Sequence, residues 1–423
     1  MDRSLLRAAI VASGWAFLAR TLVGFAGFLR TLVLARLLLP QDFGAMGTAL
    51  VVLGAVEALT ATGFDTALMQ RAGDIDAFYD SAFTVQLLRG IALAIFVWLA
   101  APMASTFVNA PILTSVLRAI AVILLLRGLA NPAKLRFYRE LRYETLFWWS
   151  VPEIAVGLGL SIALGFALRN VWALVIPAIA AQAVAVIVSY VLARRRPRLA
   201  LERSRLRELV RYSKWVFGTH VMTFLSLQGD NGFVAKMLGI GSLGFYQVAF
   251  RVAELPVTGV TQVLNQVALP TLSGLQVERP RLRSWYAGAQ SLILIIHGAF
   301  VVLILLAGRP LVHILLGATW MPIVPVLKIL VVAMWIRSIV DFSGTLFNAV
   351  GEPRLTYRLH VIRVVIMVIA IYPLSQLMNG ISGVAASIVL SQFGAALLCL
   401  KYLRSTLGPR LWQDARQLVW KRS

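Results

Sequence analysis

The sequence is poor in cysteine, in acidic residues and in charge of any kind. A single cysteine, Cys399, among 423 residues excludes an internal disulfide and a metal site built from several thiolates. Charged residues make up 14% of the chain and hydrophobic residues 59%, whereas about 25% of an ordinary soluble domain is charged. This composition excludes a soluble globular protein.

Motifs of several enzyme classes are also absent. The sequence has no glycine-rich phosphate-binding loop, no HExxH zinc motif and no GxSxG serine motif. Its four histidines show no metal-ligand spacing. No loop between the apolar runs exceeds about twenty residues, which leaves little room for an extramembrane catalytic domain. We therefore expect no enzyme activity, no metal and no cofactor.

Long apolar runs with short polar breaks recur along the whole chain. A bilayer span needs roughly 20 predominantly apolar residues, so we predict an all-α integral membrane protein with about twelve transmembrane helices. The first run lacks a cleavage site of the A-x-A type, which indicates a retained helix. The predicted spans lie near residues 9–34, 44–66, 81–104, 112–131, 146–168, 171–193, 212–235, 244–268, 287–308, 322–348, 357–377 and 380–402.

The basic residues report the orientation of the chain. Lys and Arg total 40 and Asp and Glu 18, giving a formal charge of +22. With the N-terminus in the cytoplasm, 27 cations fall in cytoplasmic segments, 4 on the opposite side and 9 within spans. This asymmetry predicts an even number of spans with both termini cytoplasmic. A nucleic-acid partner is not expected, because the densest basic run, residues 194–211, has few interleaved aromatics for base stacking.

The two halves of the chain resemble each other. An offset of 200 residues aligns Phe43-Gly44 with Leu243-Gly244, and an offset of 210 aligns residues 117–129 with 327–339. The second match pairs Arg118 with Lys328 and Arg127 with Arg337, and is therefore more than apolar similarity.

Six spans in each half predict two parallel six-helix repeats around a central cavity, an architecture of transporters that work by alternating access. The predicted parts are an N-terminal six-helix lobe (1–193), a basic cytoplasmic linker (194–211), a C-terminal six-helix lobe (212–403) and an amphipathic cytoplasmic tail (404–423).

Ionisable residues inside spans are candidate site residues, because each costs on the order of 3 kcal/mol to insert. Arg20 and Arg30 lie about 80° apart around the first span and share one broad face, on which Gly24 and Gly27 would allow close helix approach. The offset of 200 aligns polar residues of the two repeats, which are expected to line the cavity: Arg20 with His220, Arg30 with Asp230, and Asp65 with Asn265.

Two further pairs have helical spacing, namely Arg251 with Glu254 and Arg337 with Asp341. Each is interpreted either as a local ion pair that lowers the cost of burial or as part of the cavity. Both interpretations stay open.

Some charged residues lack a partner within one helical turn. Glu57 and Asp65 are candidates to bind a coupling proton or sodium ion, which would link transport to an ion gradient. Arg89 and Arg363 lie several residues inside spans and are expected to extend to the lipid headgroups.

Several segments resemble a known family. Residues 34–71 carry the pattern A-R-x-L-x-P-x-x-F-G followed by G-F-D-x-A-L-x-Q-R, and further similar segments are RELRYE (139–144), LGIGSLGFYQVAFRVAELP (238–256), ALPTLSGLQ (268–276) and ILLGATWMPIVPVLKIL (314–330). They resemble polysaccharide flippases of the Wzx type, in the multidrug/oligosaccharidyl-lipid/polysaccharide exporter superfamily. Many members have fourteen spans, whereas this chain has room for twelve and a tail.

The resemblance implies a function in the bacterial inner membrane. It implies the movement of an undecaprenyl-diphosphate-linked oligosaccharide from the cytoplasmic to the periplasmic leaflet, for exopolysaccharide, capsule or lipopolysaccharide O-antigen assembly. Partners would be membrane lipid, polysaccharide polymerase and export machinery. By position, the resemblance assigns Arg20, Arg30 and Arg251 to the lipid diphosphate, which agrees with the preference of arginine for phosphate oxygens.

Two alternatives remain. A cation-coupled multidrug exporter of the same superfamily would need an acidic cavity, but the spans contain more arginine than carboxylate. A membrane polysaccharide polymerase or ligase would need a large periplasmic loop, which the predicted spans do not leave.

Overall fold

The computed structural model describes residues 3–60, 76–140, 142–193, 195–200 and 221–407, and these ranges contain helices and no β-strand. Ten helices in the described ranges are long and apolar enough to cross a membrane. The predicted all-α membrane fold is confirmed. The helices are α1 (Arg3–Ala35), α2 (Pro40–Leu59), α3 (Asp76–Val108), α4 (Ile112–Leu129), α5 (Lys134–Arg139), α6 (Tyr143–Leu168), α7 (Trp172–Leu192), α8 (residues 221–237), α9 (Gly239–Ala253), α10 (Gln262–Gly274), α11 (Arg279–Leu315), α12 (Ile323–Ala349), α13 (Pro353–Leu377) and α14 (Ile381–Leu407).

The seventh and eighth predicted spans differ from the other ten. The seventh begins outside the described residues and continues as α8. The eighth, predicted near residues 244–268, is helical over almost its whole length: α9 ends at Ala253, a π-helical turn covers Val257–Thr261, and α10 follows. Pro256, which has no N–H to donate, accounts for the local change from α-helix to a π-helical turn.

The chain divides into two compact units, residues 1–244 and 245–423. In the first unit α3 packs on α4, α6 on α7, α4 on α7, and α2 on α4. The equivalent packing recurs in the second unit, where α11 packs on α12, α13 on α14, α12 on α14, and α10 on α12. This recurrence supports the duplication inferred from the sequence. The exact lobe, linker and tail boundaries stay predictions.

Contacts at the ends of helices agree with the predicted alternation of spans. Lys236 donates a hydrogen bond to the carbonyl of Phe107, and its ammonium lies 4.1 Å from the centre of that ring. The Tyr79 hydroxyl donates to the Asn131 side chain and lies 3.1 Å from the Arg195 carbonyl. Each contact joins segments predicted on the same side of the membrane.

A close crossing joins α2 to α9 within the first unit. A Cβ atom on Gly44 would lie 1.6 Å from the carbonyl oxygen of Ile240, and one on Gly244 would lie 1.7 Å from that of Pro40. Only glycine permits such backbone contact. Both residue pairs obey the offset of 200, so the crossing has the symmetry of the repeat.

Candidate functional site

The two arginines predicted for the first span lie on α1 as expected. Arg20 is exposed and Arg30 is half-buried. Burial raises the pKa of the nearby Tyr138 hydroxyl on α5, and the charge of Arg20 offsets part of that rise. A Cβ on Gly24 or Gly27 would meet no described atom within 4 Å. Among the described residues, a close approach of helix backbones is seen at the α2–α9 crossing, and the approach expected at Gly24 and Gly27 stays a prediction.

Arg251, the third predicted diphosphate ligand, lies near the end of α9. Its side chain reaches the surface, although protein atoms surround most of it. The Glu254 carboxylate, three residues later, is close enough to act on it electrostatically. Arg251 belongs to the second unit, while Arg20 and Arg30 belong to the first. That all three face one cavity stays a prediction.

A chain of alternating charges crosses the second unit. Arg337 on α12 binds Glu254 (Nη1 to Oε1, 3.3 Å) and Asp341 (Nε to Oδ2, 2.9 Å). Asp341 in turn binds Arg363 on α13 (Oδ1 to Nη2, 3.0 Å), whose side chain is only 7% exposed. The ion pair predicted from the spacing of Arg337 and Asp341 is confirmed. The expectation that Arg363 extends to the headgroups was wrong, because its partner lies on a neighbouring helix.

The first unit holds its own interhelical ion pair. Glu57, in the last turn of α2, accepts two hydrogen bonds from Nη1 of Arg127 on α4, at 2.5 and 2.6 Å. Arg89 on α3 donates to the Glu57 carbonyl at 3.0 Å and to the Thr60 hydroxyl at 3.1 Å. The Glu57 carbonyl also accepts a hydrogen bond from the Thr60 backbone N–H at 3.3 Å. That Arg89 extends to the headgroups stays a prediction.

The other predicted candidates are scattered. Asp230 on α8 is buried, and its Oδ1 accepts a hydrogen bond from the Asn231 backbone at 2.9 Å. Asn265 on α10 accepts one from the Thr345 hydroxyl on α12 at 2.8 Å. Asp65 and His220 lie outside the described residues. Among the residues that are described, no group of His, Cys, Asp and Glu could hold a metal ion.

Arg127 was not among the predicted site residues, although it binds Glu57 between two helices. Its partner lies 70 residues away, so no spacing within one helix could reveal the pair. The alignment of Arg127 with Arg337 was the available signal.

Several polysaccharide biosynthesis proteins of bacteria are similar to this chain over most of its length. The lipopolysaccharide biosynthesis protein WzxC of Escherichia coli is 21% identical over 422 residues, which cover 98% of this chain and 84% of that protein. The succinoglycan biosynthesis transport protein ExoT of Rhizobium meliloti is 22% identical over 352 residues, 83% of this chain and 71% of that protein.

Solved structures show the same fold. The lipid II flippase MurJ in an inward closed conformation matches with a TM-score of 0.76 and 15% identity, over 93% of this chain and 87% of that one. An inward-facing multidrug transporter of the MATE family, in the MOP superfamily, matches with a TM-score of 0.73 and 17% identity, over 93% and 96%. The family model described as polysaccharide biosynthesis protein matches residues 33–325. This multi-pass membrane protein therefore belongs to the polysaccharide biosynthesis protein family.

Proposed function

We propose that the protein is a flippase. It moves an undecaprenyl-diphosphate-linked oligosaccharide from the cytoplasmic to the periplasmic leaflet by alternating access, as a step in exopolysaccharide, capsule or lipopolysaccharide O-antigen assembly. It acts as a transporter and not as an enzyme.

The observation that carries the proposal is the exposure of Arg20 and Arg251 within predicted spans. An exposed guanidinium at membrane depth is costly against lipid tails, so it requires water or an anion beside it. The half-buried Arg30 lies ten residues from Arg20 on the same helix. Fixed cations of this kind suit a diphosphate, because guanidinium groups match phosphate oxygens in charge and geometry.

The names of the similar proteins support the proposed cargo. One is described as a succinoglycan biosynthesis transport protein and another as a lipopolysaccharide biosynthesis protein. A structural neighbour is described as a lipid II flippase. Transfer of a saccharide on a lipid carrier is the activity that accommodates all three descriptions.

The same-superfamily alternative, export of cationic drugs, needs carboxylates that are available to a cation. Three of the candidate carboxylates, Glu57, Glu254 and Asp341, are instead bound by arginines of the chain itself. This pairing favours an anionic cargo over a cationic one.

The orientation of the chain in the membrane and its source of energy follow from the same function. The distribution of cations supports cytoplasmic termini, and the similarity to WzxC of Escherichia coli supports a location in the bacterial inner membrane. Residues 1–193 and 212–403 form the two lobes, joined by the basic segment 194–211. Polysaccharide polymerase and export machinery receive the flipped unit, and a proton or sodium gradient drives the cycle.

Substitution of the three arginines tests the proposed site. Arg20, Arg30 and Arg251 are changed together to alanine, and polymer export is measured in a deletion strain at matched protein levels. We expect export to be lost, and to be partly retained when all three become lysine, which keeps the charge but not the planar fork. Normal export by the alanine variant would show that these residues do not hold the cargo.

A further inference from the structure

Two ion pairs of the same kind form around arginines that occupy equivalent positions in the two repeats. Nη1 of Arg127 lies 2.5 Å from the carboxylate of Glu57, in the last turn of α2. Nη1 of Arg337 lies 3.3 Å from the carboxylate of Glu254, directly after the end of α9. The offset of 210 pairs the two arginines in the sequence. The offset of 200, by contrast, aligns Glu57 with Val257, three residues after Glu254. The two ion pairs are therefore similar arrangements around equivalent arginines, with the glutamates about one helical turn apart.

Both arginines divide their guanidinium nitrogens between two partners. In each, Nη1 binds the glutamate and Nε binds a second residue: Gln182 at 3.4 Å for Arg127, and Asp341 at 2.9 Å for Arg337. The second contact holds the orientation of the guanidinium independently of the glutamate. An arginine held at Nε can exchange the partner at its terminal nitrogens without losing its position.

The two glutamate side chains are partly exposed, and a charge at these positions costs free energy. Their side chains are 32% exposed for Glu57 and 31% for Glu254, so neither is sealed in the protein interior. The Glu57 carboxylate, in the last turn of α2, also opposes the helix dipole. An apolar pair of similar volume would hold the helices at lower cost, so a purely structural role does not explain why charge is used here.

A phosphate group presents the same charge and the same kind of oxygen to arginine as a carboxylate does. Both Glu57 oxygens contact the single nitrogen Nη1 of Arg127, at 2.5 and 2.6 Å, and thus do not span two guanidinium nitrogens. A phosphate that bridged two nitrogens would bind in the stronger, forked geometry.

We infer that Arg127 and Arg337 form a duplicated pair of anion-exchange sites. Each arginine binds the glutamate of its own repeat in the absence of cargo and exchanges it for a phosphate oxygen of a lipid diphosphate. This inference rests on the proposed function and adds Arg127 as a cargo ligand and Glu57 as its built-in competitor. Arg127 is the stronger phosphate site, because its second partner is a neutral amide while that of Arg337 is a carboxylate.

Binding of inorganic pyrophosphate to the purified full-length protein tests the exchange. The dissociation constant is measured by calorimetry in detergent at fixed ionic strength. We expect Glu57→Gln to tighten binding about fivefold, since a partly exposed ion pair contributes up to about 1 kcal/mol. Arg127→Gln should weaken binding by a comparable factor. The control is Glu140→Gln. It removes an exposed ion pair between Glu140 and Arg136 at the end of α5, 2.6 Å long, and should leave the pyrophosphate dissociation constant unchanged.

Several results would overturn the inference. Unchanged or weaker binding by Glu57→Gln would show that the glutamate is not a competitor, and equal tightening by Glu140→Gln would reduce the effect to surface charge. Should Arg127→Gln not fold, Arg127→Lys replaces it, and pyrophosphate binding as tight as in the wild type would refute a forked contact. The proposed function fails separately, if a deletion strain flips its lipid-linked units normally.

Discussion

The crossing of α2 and α9 allows a sharp prediction. Gly44→Ala would place a Cβ atom 1.6 Å from a backbone carbonyl oxygen, and Gly244→Ala would place one at 1.7 Å. Neither obstacle is a flexible side chain, so the helices must separate. Overpacking of this kind typically costs about 1–3 kcal/mol, which corresponds to a Tm lowered by roughly 2–12 °C for a unit of this size.

The symmetry of the crossing adds a second expectation. Either substitution alone separates the same two backbones, so the double variant should lose much less than the sum of the single losses. The assay is the fraction of monodisperse protein that remains after heating in detergent, measured by size-exclusion chromatography.

Matched controls exist on α1. Gly24→Ala and Gly27→Ala meet no described atom within 4 Å and remove a poor helix former, so they should be neutral or stabilising by up to about 1 kcal/mol. Equal effects of Gly24→Ala and Gly44→Ala, or fully additive losses at Gly44 and Gly244, would refute the close backbone contact.

Two other variants test the polar networks. Asp341→Asn leaves the buried Arg363 without its carboxylate and should lower the free energy of unfolding by about 3–5 kcal/mol. Cys399, the single cysteine of the sequence, is buried, so maleimide should label it at a lower temperature in this variant. The control, Glu278→Gln, removes an exposed ion pair and should cost less than about 1 kcal/mol. Tyr79→Phe removes the hydroxyl that binds the Asn131 side chain and the Arg195 carbonyl. Limited digestion with trypsin should therefore cut the variant near residue 195 faster than the wild type. An unchanged rate would show that these hydrogen bonds do not hold the chain around Arg195 in place.

The sequence predicted the features that depend on composition and period. Ten of the twelve predicted spans coincide with long apolar helices of the described residues, because a span is recognisable from its own residues. The offset of 200 pairs Gly44 with Gly244, but the sequence did not predict that these two glycines meet. The local pair of Arg337 and Asp341 formed as its spacing indicated.

What the sequence could not predict depends on contacts between helices. Arg363 is buried because α13 brings it to Asp341, and Glu57 is paired because α4 brings Arg127 beside α2. The π-helical turn that follows Pro256 in the eighth span was not predicted from the sequence. Partners for charged residues in a membrane protein come mainly from neighbouring helices, which a single sequence does not order in space.

The central claim is that this protein moves a diphosphate-linked saccharide across the inner membrane. Leaflet-resolved analysis of lipid-linked sugars in a deletion strain tests it most directly. The account predicts intact repeat units confined to the cytoplasmic leaflet, with transfer restored by the wild-type chain but not by the triple arginine-to-alanine variant. Unpolymerised units on the periplasmic leaflet would indicate a polymerase instead, and an unchanged distribution would contradict the flippase function.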